Sequence, residues 1–200
     1  MVQRVIDLVC PGCGSPTNTS QKFCDYCGRQ VVISSFNSTA EMPLPLLNKY
    51  TKMYGSVVAD NPDSVELNTT LALCFLKLRL YDKALPYFEK AMENDFENSE
   101  SFFYAAVCLL RGKKAFLTPH ADLKKAMEYI DAAIMIEPRG IYYYFLAYIK
   151  YDFYERKCLN ITPGYADEMN NALDNGVSHA DVQTLFEFLG VDIPNVLRLE

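Results

Sequence analysis

No apolar run in this 200-residue chain approaches the roughly 18 residues that a membrane-spanning helix requires, because Lys77 and Arg79 interrupt one candidate and Lys150 and Asp152 the other. The sequence therefore argues against a helical transmembrane role. Basic charge is also scarce: 19 Lys and Arg stand against 25 Asp and Glu, a net charge of −6. Residues 1–33 hold Arg4, Lys22 and Arg29 against Asp7 and Asp25, which leaves 16 basic and 23 acidic residues for the remainder. Phosphate backbones are gripped by clustered Lys and Arg, so this acidic body argues against nucleic acid as the main ligand. Histidine occurs twice, as His120 and His179, each alone near an expected helix start. There is no constellation of nucleophile, base and orienting acid, no glycine-rich phosphate loop and no open metal triad, so the chain does not read as an enzyme. A secretory leader's basic start, apolar core and small-residue cleavage site are missing too, and the expected location is the cytoplasm, a reducing compartment. With half its residues apolar and 22% charged, the chain reads as globular, with room for one ordinary domain and a small module.

Cysteine is what the N-terminal part has in quantity. Cys10-Pro11-Gly12-Cys13-Gly14 and Cys24-Asp25-Tyr26-Cys27-Gly28 are two short pairs ten residues apart. A Cys-x-x-Cys turn lets two thiolates reach one ion, and the glycine after each pair lets the backbone turn so that its amides donate to sulfur. Two such knuckles close a tetrahedron with no position left for water, the arrangement of a structural rather than a catalytic ion. A thioredoxin-type redox pair would need a strand and helix pattern that is not present around Cys10 or Cys24. Disulfides are disfavoured by the expected reducing compartment. One structural zinc held by Cys10, Cys13, Cys24 and Cys27 is expected, with iron the competitor for four thiolates. The segment resembles the short zinc ribbons common in bacterial proteins, Cys-Pro-x-Cys-Gly followed by Phe-Cys-x-x-Cys-Gly, and Phe23 fits that pattern.

Residues 34–45 are small, polar and broken by Pro43 and Pro45, and read as a flexible linker between a ribbon at 1–33 and a helical domain at 46–200. On that reading, removing the metal unfolds the ribbon alone. Beyond the linker the apolar spacing is helical throughout, predicting helices near 46–60, 64–79, 81–94, 99–112, 119–136, 140–156, 163–175 and 179–189. Pro62 and Ser64 form a stop and a cap, and Thr118-Pro119 and Thr162-Pro163 are expected to open helices in the same style. An internal repeat organises these helices: the segment Ala59 to Glu66 recurs as Glu93 to Glu100, 34 residues on. Between those marks, Leu71, Ala72, Phe75, Tyr81, Ala84, Phe88 and Ala91 resemble the tetratricopeptide pattern of paired antiparallel helices. A second copy runs through Ala105, Ala106, Ala126, Ile130 and Ala133, stretched by eight residues, and a third through Tyr144, Ala147, Tyr148 and Tyr151. The fold this implies is mainly α, an α-α superhelix of tetratricopeptide-like repeats with a small β ribbon in front. The last helix, apolar at Val182, Leu185, Phe186 and Leu189, reads as a cap on the stack.

By that resemblance, the first helix of each repeat lines a concave face, placing Leu73, Leu76, Phe103, Val107, Tyr142 and Phe145 toward a protein partner. Aromatic stripes at helical spacing also make core, and the final helices have the means to fill the groove. A second patch, Arg111, Lys113, Lys114, Lys124 and Lys125 around His120, reads either as a docking site for an acidic partner or as a solvated face. Cys74, Cys108 and Cys158 sit beside apolar neighbours and are expected to be buried. The sequence is read as a cytoplasmic adaptor or scaffold that binds a protein. The alternative is a nucleic-acid-associated regulator whose ribbon touches DNA or RNA while the repeats recruit a partner, and an accessory subunit of a larger assembly fits equally well.

Overall fold

A computed structural model describes residues 5–35, 37–40 and 42–199; residues 1–4, Phe36, Glu41 and Glu200 of the segments delimited above lie outside the described residues. The chain divides into two compact units, one ending at Phe96 and the other beginning at Glu97.

The first unit starts with a hairpin of β1 (Asp7–Val9) and β2 (Pro16–Asn18), in which Leu8 lies opposite Thr17. Leu8 and Thr17 point inward while Asp7, Val9 and Pro16 face out, the alternation that a pleated strand imposes. Four helices follow: α1 (Asn37–Ala40), α2 (Leu44–Asp60), α3 (Val65–Lys77) and α4 (Tyr81–Asn94). Helix α2 begins earlier than expected, because Pro43 stands at its cap and Pro45 in its first turn, where a missing amide forfeits no intrahelical bond. Ser64 caps α3, accepting from the Leu67 amide at 3.4 Å, and Arg79 in the left-handed region (φ 57°) ends the turn after it. Helices α3 and α4 pack tightly because Leu71, Ala72, Ala84, Phe88 and Ala91 are buried at their crossing. Pro86 lies inside α4, which continues through it to Asn94.

The end of the ribbon, residues 30–33, is tied to the helices that follow. Val31 and Ile33 have no exposed surface. The Tyr50 hydroxyl of α2 donates to the Gln30 carbonyl, and the Tyr54 hydroxyl donates to the Val31 carbonyl at 3.1 Å. The Ile33 amide donates to Thr70 Oγ1 of α3 at 2.9 Å. The sequence pattern conceals this docking, because its anchors are side chains 20 to 37 residues further on.

The second unit holds α5 (Ser99–Leu109), α6 (His120–Ile136), α7 (Gly140–Ile149), α8 (Tyr165–Asp174) and α9 (His179–Leu189). Helices α5 and α6 form one close pair over Ala105, Ala106, Ala126 and Ala133, and α7 and α8 another over Ala147 and Ala172. Helix α5 stops short of 112 because Arg111 (φ 49°) and Gly112 (φ 69°) turn left-handed in succession. Helix α7 does not run to 156 as one α-helix. It passes into a π-helical turn at Lys150–Tyr154 and a 3₁₀ turn at Glu155–Lys157, ending on left-handed Cys158. The two Thr-Pro pairs are not caps of the expected kind. The Thr118 hydroxyl donates back to the Lys114 carbonyl, and α8 opens at Gly164, whose amide donates to Asp167 Oδ2 at 2.8 Å. Helix α9 is capped as its sequence implies: the Asp181 amide donates to Ser178 Oγ at 3.2 Å, and Gly190 (φ 65°) stops it.

A candidate four-thiolate metal centre

The two knuckles have the same internal wiring. The Cys10 amide donates to the Ser15 carbonyl at 2.9 Å and the Gly14 amide to the Cys10 carbonyl at 2.9 Å; in the second loop the Cys24 amide donates to the Arg29 carbonyl at 2.7 Å and the Gly28 amide to the Cys24 carbonyl at 2.8 Å. Closing each turn this way requires a left-handed residue, and Gly14 (φ 81°) and Gly28 (φ 68°) supply it. All four sulfurs come within 4.8 Å of one another. Cys10 Sγ lies 3.6 Å from Cys27 Sγ, and Cys13 Sγ 3.7 Å from Cys24 Sγ. These are far beyond the roughly 2.05 Å of a disulfide. A tetrahedron with metal–sulfur bonds of about 2.3 Å has edges of about 3.8 Å, so the spacing fits four thiolates around a single ion. The Gly12 amide also points at Cys10 Sγ from 3.4 Å, the donor that a ligating thiolate needs.

Electrostatics lead to the same requirement. Hydrogen bonding by the Ser15 side chain, and then by its backbone, draws Cys13 down from 9.0 to about 6. An Arg29 backbone bond acts in that direction on Cys27, but desolvation and the crowding sulfurs of Cys13, Cys10 and Cys24 prevail and push it up to about 12. Four sulfurs this close cannot all shed their protons unless a cation sits among them. Cys10 and Cys24 are buried while Cys13 and Cys27 face solvent, so the centre is at the ribbon's surface with two sulfurs shielded.

The six side chains expected on a concave face are all buried. Leu73, Leu76, Phe103, Val107, Tyr142 and Phe145 are each no more than 5% exposed. In the second unit the cause is visible. Phe103 packs on Tyr142 and Phe145 with ring centroids 4.9 and 5.8 Å apart, and α9 lays Phe186 on Tyr148 at 5.0 Å and Phe188 on Tyr104 at 5.7 Å. The Tyr142 hydroxyl is engaged by Ser99 and Arg139. Phe103, Tyr142 and Phe145 thus pack as core rings of the second unit.

The basic patch is partly neutralised: Arg111 pairs with Asp122 at 3.8 Å, Lys124 with Glu128 at 3.9 Å, and Lys125 lies over the Tyr129 ring. Cys74 and Cys108 are buried as expected, whereas Cys158 is exposed because it occupies the left-handed turn that ends the helix. Sequence reasoning missed the hydroxyls of Tyr50 and Tyr54, which stand four residues apart on the buried face of α2. The available signal was that a buried tyrosine needs a partner for its hydroxyl, and here the partners are ribbon carbonyls.

No known protein family's sequence profile matches this chain, and no curated protein does. Among solved structures, MamA AMB-1 aligns with a TM-score of 0.53 at 21% identity, covering 74% of this chain and 74% of that one. MamA MSR-1 aligns with a TM-score of 0.47 at 20% identity over 76% of this chain and 73% of that one. What the chain shares with MamA AMB-1 is its fold, the paired helices of a tetratricopeptide-like repeat protein.

Proposed function

We propose that this protein is a non-enzymatic, cytoplasmic interaction scaffold, in which a ribbon carrying one structural zinc precedes tetratricopeptide-like helix pairs that hold a protein partner. The observation that carries the scaffold reading is the run of three close helix pairs, α3 with α4, α5 with α6 and α7 with α8, built on small residues at their crossings. Such pairs expose a repeating outer surface in proportion to their number, which suits binding of extended partners. The sulfur spacing supports zinc, and iron satisfies the same donors. Metal analysis of the purified chain should return one zinc per chain, and a chain without metal after growth in zinc-replete medium would refute the ribbon reading.

The scaffold reading is tested by capture from native lysate, followed by cross-linking and mass spectrometry. A saturable protein partner cross-linked to helix surfaces supports it. Recovery of nucleic acid without a protein partner favours the regulator instead. Phe103→Ala and Tyr142→Ala serve as controls, and the burial of both rings supports a sharp fall in melting temperature rather than a selective loss of capture.

A further inference from the structure

The second knuckle leads directly into the docked segment. Cys27 is three residues from Gln30, and the Val31 amide reaches back across the knuckle to the Lys22 carbonyl at 3.0 Å, beside a bridge between Phe23 and Gln30. Gln30 and Val31 then give their carbonyls to Tyr50 and Tyr54, and Ile33 exchanges bonds with Thr70 at 2.9 and 3.3 Å. The first knuckle approaches the same helix from another side, where Cys10 to Gly14 share a cleft of about 580 Å³ with Lys49, Lys52 and Met53 of α2. Four thiolates around a divalent ion keep an excess of negative charge, and these two lysines are the cations lining that cleft.

We propose that the metal centre is a clamp that holds Gln30–Ile33 against α2 and α3, so that metal occupancy sets the stability of the first unit's helices. The inference rests on the metal reading of the four cysteines given above. Without the ion nothing bridges Cys10 and Cys13 to Cys24 and Cys27, and the segment after Cys27 loses its fixed end. Its release breaks the bonds of Tyr50 and Tyr54 to the Gln30 and Val31 carbonyls and of Thr70 to Ile33, and opens the buried surface around them to solvent. The bonds that hold Gln30–Ile33 are made to α2 and α3, so the response is expected in the first unit.

The test is hydrogen exchange read by mass spectrometry on the full chain, with zinc bound and after removal by a chelator, metal content being measured in both samples. Peptides covering 44–77 should exchange at least roughly tenfold faster after removal, while peptides covering 140–189 stay unchanged. The Cys27→Ser variant should reproduce this without chelator. In the Tyr54→Phe/Thr70→Val variant the same helices should already exchange faster with zinc bound, and chelation should add less than about twofold. Bound zinc with exchange altered only within 5–33 overturns the clamp and leaves the metal reading intact. A chain that never carries metal overturns both. Acceleration of both units together, or an undiminished response in the double variant, overturns the route through these hydroxyls.

Discussion

Lys150 and Glu168 are the two residues whose burial is hardest to account for without each other. Their charged atoms are 2.5 Å apart, with side chains only 7% and 5% exposed, and the Asn171 amide satisfies the other carboxylate oxygen. Removing one member of such a pair strands the other charge, so Lys150→Met is expected to cost about 3–5 kcal/mol in urea unfolding, while Lys150→Met with Glu168→Leu recovers most of the loss. A double variant no more stable than the single one would contradict this. In the sequence, Lys150 registered only as a charge interrupting an apolar run, because nothing in the local pattern shows that a glutamate 18 positions on meets it. Cys74 gives a pH dependence at the same scale. Burial pushes its thiol from 9.0 to about 12, and burial also pushes the Tyr144 hydroxyl from 10.0 to about 12. The folded values lie above the unfolded ones, so the neutral forms favour folding: their contribution is complete below about pH 9 and is lost as pH climbs toward 12. Urea midpoints should therefore be level from neutral pH to about 9 and then fall, and a flat profile through that window would count against these burials.

Among the elements, α9 has the clearest mechanical part. Phe186 packs against Tyr144 and Tyr148 of α7, and Val182, Leu185, Phe188 and Leu189 are buried with it. Phe186→Ala should cost about 3–5 kcal/mol, read as a fall in the urea midpoint at unchanged slope. Gly140, the first residue of α7, tests the helix crossing directly. A Cβ there would stand 2.4 Å from the Val177 amide nitrogen and 2.6 Å from the Ala172 carbonyl, backbone atoms with little room to give. Gly140→Ala is expected to destabilise by about 1–3 kcal/mol, whereas the gain usually seen for Gly→Ala in a helix would show that α8 can shift. Helix positions were legible from apolar spacing because each helix buries one face, and the cap of α9 was legible in Ser178, Asp181 and Gly190. The failures cluster at helix ends. The π turn at Lys150–Tyr154 keeps helical composition, and its distinguishing contact, Asp152 accepting from the Phe116 amide at 2.8 Å, comes from a loop more than 30 residues away. Thr162-Pro163 has a cap's composition, yet Asp167 does the capping.

At the scale of the whole chain, the 34-residue period located the joint between repeats, and the division after Phe96 falls inside its second marker, Glu93 to Glu100. The cluster of four cysteines was legible, since Cys10, Cys13, Cys24 and Cys27 lie in two short turns that need no long-range contact to be recognised. A partner surface is harder to read, because the same apolar spacing describes a groove and a core, and in the second unit the rings that α9 lays on Tyr104, Tyr144 and Tyr148 come from residues some 40 to 80 positions away. Charge remains as a property of the whole molecule that bears on partners. The ribbon carries three basic residues against two acidic ones, and the remainder has 16 basic against 23 acidic residues. Even the basic exception on α6 and the loop before it is partly paired with Asp122 and Glu128. Binding to a phosphate backbone releases counterions only where Lys and Arg replace them, so affinity for nucleic acid should be no tighter than the roughly 10⁻⁴–10⁻⁶ M of non-specific association. Fluorescence anisotropy with single-stranded and duplex probes at physiological salt should show no saturation below about 1 μM, and any binding at lower salt should collapse as salt is raised. Saturable, salt-resistant binding below that concentration would mean that the ribbon reads bases through a few exposed side chains such as Phe23 and Tyr26, 50% and 73% exposed, and would move the protein from scaffold to regulator.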